Sequence, residues 1–143
     1  MTLTVAFYKG RKRLFNRLVS WYLRGAYSHC ELVTRTDENG VSDCISSSFM
    51  DGGVRLKRMR LDPAHWDLVE VDGDPRKVHY WLDMHEGDGY DVLGLLGFVW
   101  RRQKGYQDKW FCSEAVAEAL GMQESWRFDP MTLWAALSKR SQI

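Results

Sequence analysis

Cys112 opens the stretch Cys-Ser-Glu-Ala-Val-Ala-Glu-Ala-Leu-Gly, which ends at Gly121. Apolar residues at Phe111, Ala115, Val116, Ala119 and Leu120 recur at helical spacing, and Gly121 supplies a stop. The spacing predicts a helix with Cys112 at or just before its first turn. Unpaired backbone N–H groups and the helix dipole favour negative charge there, so a thiolate forms more readily. A thiolate nucleophile needs a base to form it and a third group to orient that base.

The chain offers His29, His65, His79 and His85 as bases. His65 falls in a turn beside Pro63, and His79 and His85 ride on an amphipathic helix. His29 stands on a predicted strand, which fixes a side chain more firmly than a loop does. A hairpin folded around Glu38-Asn39 sets Ser47 or Ser48 opposite His29. Val41 and Ile45 share a face with Ser47, so Ser47 should look toward the core and the nucleophile. Ser46, Ser48 and Asp43 occupy the same stretch, and a slip of one residue would reverse the choice. Glu31, two residues from His29, is a competing polar group there. Cys30 and Cys44 also lie on predicted strands, with no helix start behind them, and read as core. No C-x2-C or H-x3-H pair is present, so no metal or other cofactor is expected.

Elements that would position these residues can be read in order. Thr2 to Tyr8 is a strand. Arg13 to Arg24 is an amphipathic helix ended by Gly25. Ser28 to Arg35 and Val41 to Ser48 are strands joined by the turn Asp37-Glu38-Asn39-Gly40. Val54 to Arg58 follows Asp51-Gly52-Gly53 as a third strand of this group, and Trp66 to Val71 as a fourth, giving an antiparallel meander. Pro75 opens a helix to about Glu86. Tyr90 to Trp100 reads as a short buried helix, and Asp129-Pro130 caps a last one. The layout is α+β, a meander packed on helices, in one domain over residues 1–143.

Several of these segments together resemble a known family. They are Ser28-His29-Cys30-Glu31-Leu32-Val33 on a strand, the Ser-rich strand ending in Asp51-Gly52-Gly53-Val54-Arg55, Tyr90-Asp91-x2-Gly94-Leu95-Leu96-Gly97-Phe98, and Phe111-Cys112-Ser113-Glu114. The family is the circularly permuted papain-like hydrolases of the NlpC type, which include the lecithin:retinol acyltransferase-like proteins and small bacterial and phage members. The resemblance covers roughly residue 3 to residue 121. It implies a papain-like fold with the histidine strand ahead of the cysteine helix. It implies Cys112 as nucleophile, His29 as base and a polar third residue on the next strand, a stretch that here holds Ser46 to Ser48 and Asp43, of which face alternation favours Ser47. It also implies substrate contacts from Tyr90 and Asp91 and an oxyanion held at Ser113; Glu31, beside His29, is a further candidate for substrate binding. The implied reaction is acyl transfer through a thioester. An amidase acting on cell-wall-type peptides leads, a lipid acyl hydrolase or transferase is the alternative, and a weakly active phage structural or host-interaction protein is the third.

Composition bounds the rest. The chain has 143 residues, 45% hydrophobic and 27% charged, with a formal net charge of +1. That balance gives no field to draw nucleic acid. Lys9, Arg11, Lys12 and Arg13 interrupt the N-terminus before an apolar run develops, so no signal peptide is visible, and Val92 to Trp100 is too short to span a bilayer. Three cysteines fit a reducing compartment, so a cytoplasmic protein is expected, with delivery by a phage particle as the other route. Arg55, Lys57, Arg58 and Arg60 read most simply as a solvated basic face.

Overall fold

The computed structural model describes residues 1–10, 26–90 and 109–140. Its strands are β1 (Thr2–Tyr8), β2 (His29–Thr36), β3 (Val41–Ser48), β4 (Gly53–Arg60), β5 (Trp66–Asp72), β6 (Gly89–Tyr90) and β7 (Lys109–Trp110). Its helices are α1 (Pro75–His85), α2 (Cys112–Ala119) and α3 (Pro130–Arg140), with a 3-10 turn at Ser125–Arg127. The fold is α+β. β1 to β5 form an antiparallel sheet in the order β4-β3-β2-β1-β5, and β6 and β7 pair in parallel. The helices expected at Arg13 to Arg24 and Tyr90 to Trp100 lie outside the described residues, apart from Tyr90, which is in β6.

Local chemistry sets the element ends. In the β2–β3 turn, the Asp37 carboxylate accepts from the backbone N–H groups of Asn39 and Val41, and Gly40 takes φ +74°. Asp74 caps α1 by accepting from Arg76 N at 2.9 Å, with Pro75 next in line. Asp129 accepts from Thr132 N at 2.8 Å ahead of α3. Both are the N-cap arrangement, in which a carboxylate satisfies an amide the helix leaves open.

β2, β3 and β4 form the expected meander, but the fourth strand leaves it. Trp66–Asp72 pairs with β1, Tyr8 opposite Trp66 and Thr2 opposite Asp72. β1 carries apolar residues on both faces (Leu3, Val5 and Phe7 on one, Ala6 on the other), all buried, so it belongs inside the sheet with a partner on each side. β4 exposes Lys57, Arg58 and Arg60, charges suited to an edge that takes no further strand.

One face of the sheet holds the main core. Val5, Phe7, Leu32, Ile45 and Val54 meet Val78 and Leu82 of α1, Phe111, Ala115 and Val116 of the α2 region, and Leu133 and Leu137 of α3. A smaller cluster of Ala6, Val33 and Cys44 covers part of the other face. Alternation along β2 therefore directs Cys30 and Leu32 to the helices and Glu31 and Val33 to the opposite face, while His29, at the strand's first position, reaches Cys112 at the start of α2.

Gly53 lies where β4 starts, at φ +136°, and a Cβ there would stand 1.9 Å from the Asp88 carbonyl oxygen. Gly52, at φ +80°, has open space around it. Replacing Gly53 with Ala forces the backbone apart and is expected to lower Tm by about 10 °C. Gly52→Ala carries only the left-handed strain of about 1 kcal/mol, a smaller loss on the same thermal melt.

Candidate active site

Cys112 is the first residue of α2 and is 1% exposed. Burial alone would hold its thiol protonated. A hydrogen bond from the Cys30 thiol, and the charge and hydrogen bond of His29, reverse this and bring the Cys112 pKa down to about 5. Cys30 is the counterpart. Burial and the neighbouring thiolate push its own thiol well above the ordinary range, so it stays a neutral donor.

His29 shares in the same exchange. Burial disfavours its cation, but the negative charges of Glu31 and Cys112 outweigh that and raise the imidazole to about 10. The histidine is thus an imidazolium beside a thiolate. Its Nε2 donates to Glu31 Oε1 at 2.6 Å, which leaves Nδ1 for the thiol.

Glu31 is itself 1% exposed. Burial favours its neutral form, yet the hydrogen bonds and charges of Arg55 and His29 hold it below the usual carboxylate range. Arg55 grips it with two nitrogens, Nη1 to Oε2 at 2.7 Å and Nη2 to Oε1 at 2.5 Å. The remaining guanidinium nitrogen, Nε, donates to Asp51 Oδ2 at 2.9 Å. Thiolate, imidazolium, carboxylate, guanidinium and carboxylate therefore alternate in sign from Cys112 to Asp51.

Glu31, not Ser47, is the group on His29. The Ser47 hydroxyl donates to the Trp110 carbonyl at 2.6 Å, on the core face of β3, where alternation had put it. Ser46 donates to the Cys30 carbonyl at 2.7 Å, Asp43 pairs with Arg58 at 3.1 Å, and Ser48 lines the groove described next. Ser47 spends its hydroxyl on the Trp110 carbonyl while His29 turns to Glu31 and Cys112, so the register of this hairpin (Leu32 opposite Ile45) does not join the two. Arg55 is correspondingly not a solvated cation. The signal for it lay in alternation: a carboxylate two residues from His29, on the same face, needs a cation once it is buried.

A groove of about 390 Å³ opens beside the ion chain, its wall including His29, Glu31, Arg55, Tyr8, Trp66 and Tyr90 but not Cys112. Tyr90 packs its ring against Phe49 at 5.8 Å and Phe111 at 5.6 Å. Asp91 lies outside the described residues. The Ser113 hydroxyl is spent on the Phe128 carbonyl at 2.5 Å, so what Ser113 can offer a substrate is its backbone N–H at the helix start. Among the described residues, no group of three or more His, Cys, Asp and Glu is placed to hold a metal ion, and no helix is long and apolar enough to cross a membrane. Neither a family model nor a curated protein sequence matches the chain.

Two measurements check this geometry. A thiol with a depressed value in the fold stabilises at high pH and loses that contribution as pH falls through about 5. An imidazole with a raised value stabilises at low pH and loses it as pH rises through about 10. Iodoacetamide should therefore alkylate Cys112 with a midpoint near pH 5, well ahead of Cys30 and Cys44, and His29→Ala should return the midpoint to the ordinary thiol range. Arg55→Met strands a buried carboxylate and should cost about 3 kcal/mol by urea unfolding, with part of the loss recovered as pH is lowered and Glu31 takes up a proton.

Proposed function

We propose that this chain is a thiol acyl-transfer enzyme of the circularly permuted papain-like kind, hydrolysing amide bonds in peptide-type substrates. The observation that carries it is the run Cys112–His29–Glu31: a thiol pulled down to about 5 beside an imidazole raised to about 10, the imidazole fixed by a buried carboxylate. Structural ion pairs also shift pKa values, but a thiolate at a helix start beside an oriented imidazolium is the arrangement nucleophilic catalysis needs.

In this mechanism the Cys112 thiolate adds to the substrate carbonyl carbon. The carbonyl electrons move to oxygen, where backbone N–H groups at the start of α2 stabilise the charge; such a donor is worth about 3–4 kcal/mol in well-studied hydrolases. The His29 imidazolium gives its proton to the departing amine as the C–N bond breaks, leaving a Cys112 thioester. Neutral His29 then takes a proton from water, hydroxide adds to the thioester, and the acid leaves as Cys112 returns to thiolate. Glu31 keeps the His29 ring in place and balances its positive charge.

Two observations favour other readings. Phe49 is 50% and Met50 61% exposed on the groove rim, an apolar lip that suits an acyl chain. Cys112 is 1% exposed and absent from the groove wall, which suits an interaction module that keeps the ion pair without turnover. A panel of peptide amides, long-chain esters and acyl thioesters separates the three. The amidase reading expects an acyl adduct on Cys112 by mass spectrometry and turnover of peptide amides, abolished by Cys112→Ala and reduced about a thousandfold or more by His29→Ala. Glu31→Gln should lower kcat about a hundredfold with little change in KM. Turnover confined to long-chain esters moves the reading to lipids, and the absence of any Cys112 adduct overturns the enzyme.

A further inference from the structure

The nucleophile helix has an unusual start. Its N-cap is Phe111, with no side-chain cap hydrogen bond, so the common device for fixing a helix N-terminus is missing. The residue before it is held at both ends instead. The Trp110 indole N–H donates to Asp88 Oδ2 at 3.0 Å, and its carbonyl accepts from Ser47 Oγ at 2.6 Å. The ring stands edge-on to Trp81 at 5.3 Å and to His85 at 4.9 Å. His85 Nδ1 shares the same Asp88 oxygen at 2.9 Å, and the Asp88 carbonyl accepts from Val54 N at 2.8 Å, which ties the assembly to β4.

We propose that Trp110, held by Asp88 and Ser47, is the positioning residue that sets Cys112 against His29. The proposal rests on reading Cys112 as the nucleophile. A hydrogen-bonded ring two residues upstream takes the place of a cap and fixes where α2 begins. Ser47 thereby acts on the nucleophile's backbone rather than on the base. Asp88 is the junction, because it fastens the indole through its side chain and β4 through its main chain.

The test uses the full chain and iodoacetamide, with the Cys112 adduct read by mass spectrometry at pH 6.5. Trp110→Phe keeps the ring and removes the N–H. It should slow alkylation about tenfold and shift its pH midpoint upward, with Tm within about 5 °C of the wild type. Asp88→Asn keeps an acceptor oxygen and should stay within about twofold of the wild type, while Asp88→Leu should match Trp110→Phe. The Trp110→Phe/Asp88→Leu double variant should be no slower than either single one, because both remove the same bond. A Trp110→Phe rate within twofold of the wild type overturns the proposal. So does an equal loss in Asp88→Asn, or a double variant whose losses multiply. A wild-type Cys112 that fails to react below the ordinary thiol range overturns the nucleophile reading, and this proposal with it.

Discussion

A carboxylate with 1% exposure sets the terms for this molecule. Taking Glu31 out of water costs several kcal/mol, and only close positive partners with good geometry offset that. Two are present, and they share its Oε1. Arg55 supplies a fixed two-nitrogen grip, and His29 supplies a proton that its own surroundings make hard to lose. Because Glu31 is held ionised by Arg55, it can hold His29 protonated; because His29 is protonated, Cys112 can stay a thiolate within the core. Each charge is tolerable only because its neighbour has the other sign.

The sheet is arranged so that these groups can meet. Arg55 is on β4 and Glu31 on β2, with β3 between them. Ser46, opposite Arg55 in the ladder, is small, and its hydroxyl turns to the Cys30 carbonyl. A bulkier residue there would stand in the path of the guanidinium. The next residue, Ser47, uses its hydroxyl on the other face. The serine-rich strand is therefore a low ridge that lets charge cross above it and anchors backbone on both sides.

Much of this was legible in the sequence, and what was not has identifiable causes. β1 to β4 followed from alternation and turn residues, α1 and α3 from their Asp-Pro starts, and α2 from its apolar spacing. Cys112 and His29 stood out because a cysteine at a helix start and a histidine on a strand are chemically unusual places. Glu31 was hidden by proximity: two residues from His29, it could be read as orienter or as bystander, and only its burial decides. Arg55 was hidden by company, since it shares a run with Lys57, Arg58 and Arg60, which do face solvent. The departure of β5 to the far side of β1 depended on which edge was charged and which was apolar, a comparison between strands that no single segment displays.

The order of strands along the chain has a bearing on synthesis. β1, flanked by β2 and β5, is the first strand of the sheet to be made, yet its partner β5 follows 58 residues after it at Tyr8 and Trp66. Contacts so distant in sequence close late, because a long loop must be ordered before they form. Glu31 and Arg55 are only 24 residues apart, and both leave the ribosome well before Cys112. The carboxylate thus has its arginine available before the thiol exists, and the last charge to enter the chain of alternating signs finds its counter-ions already made.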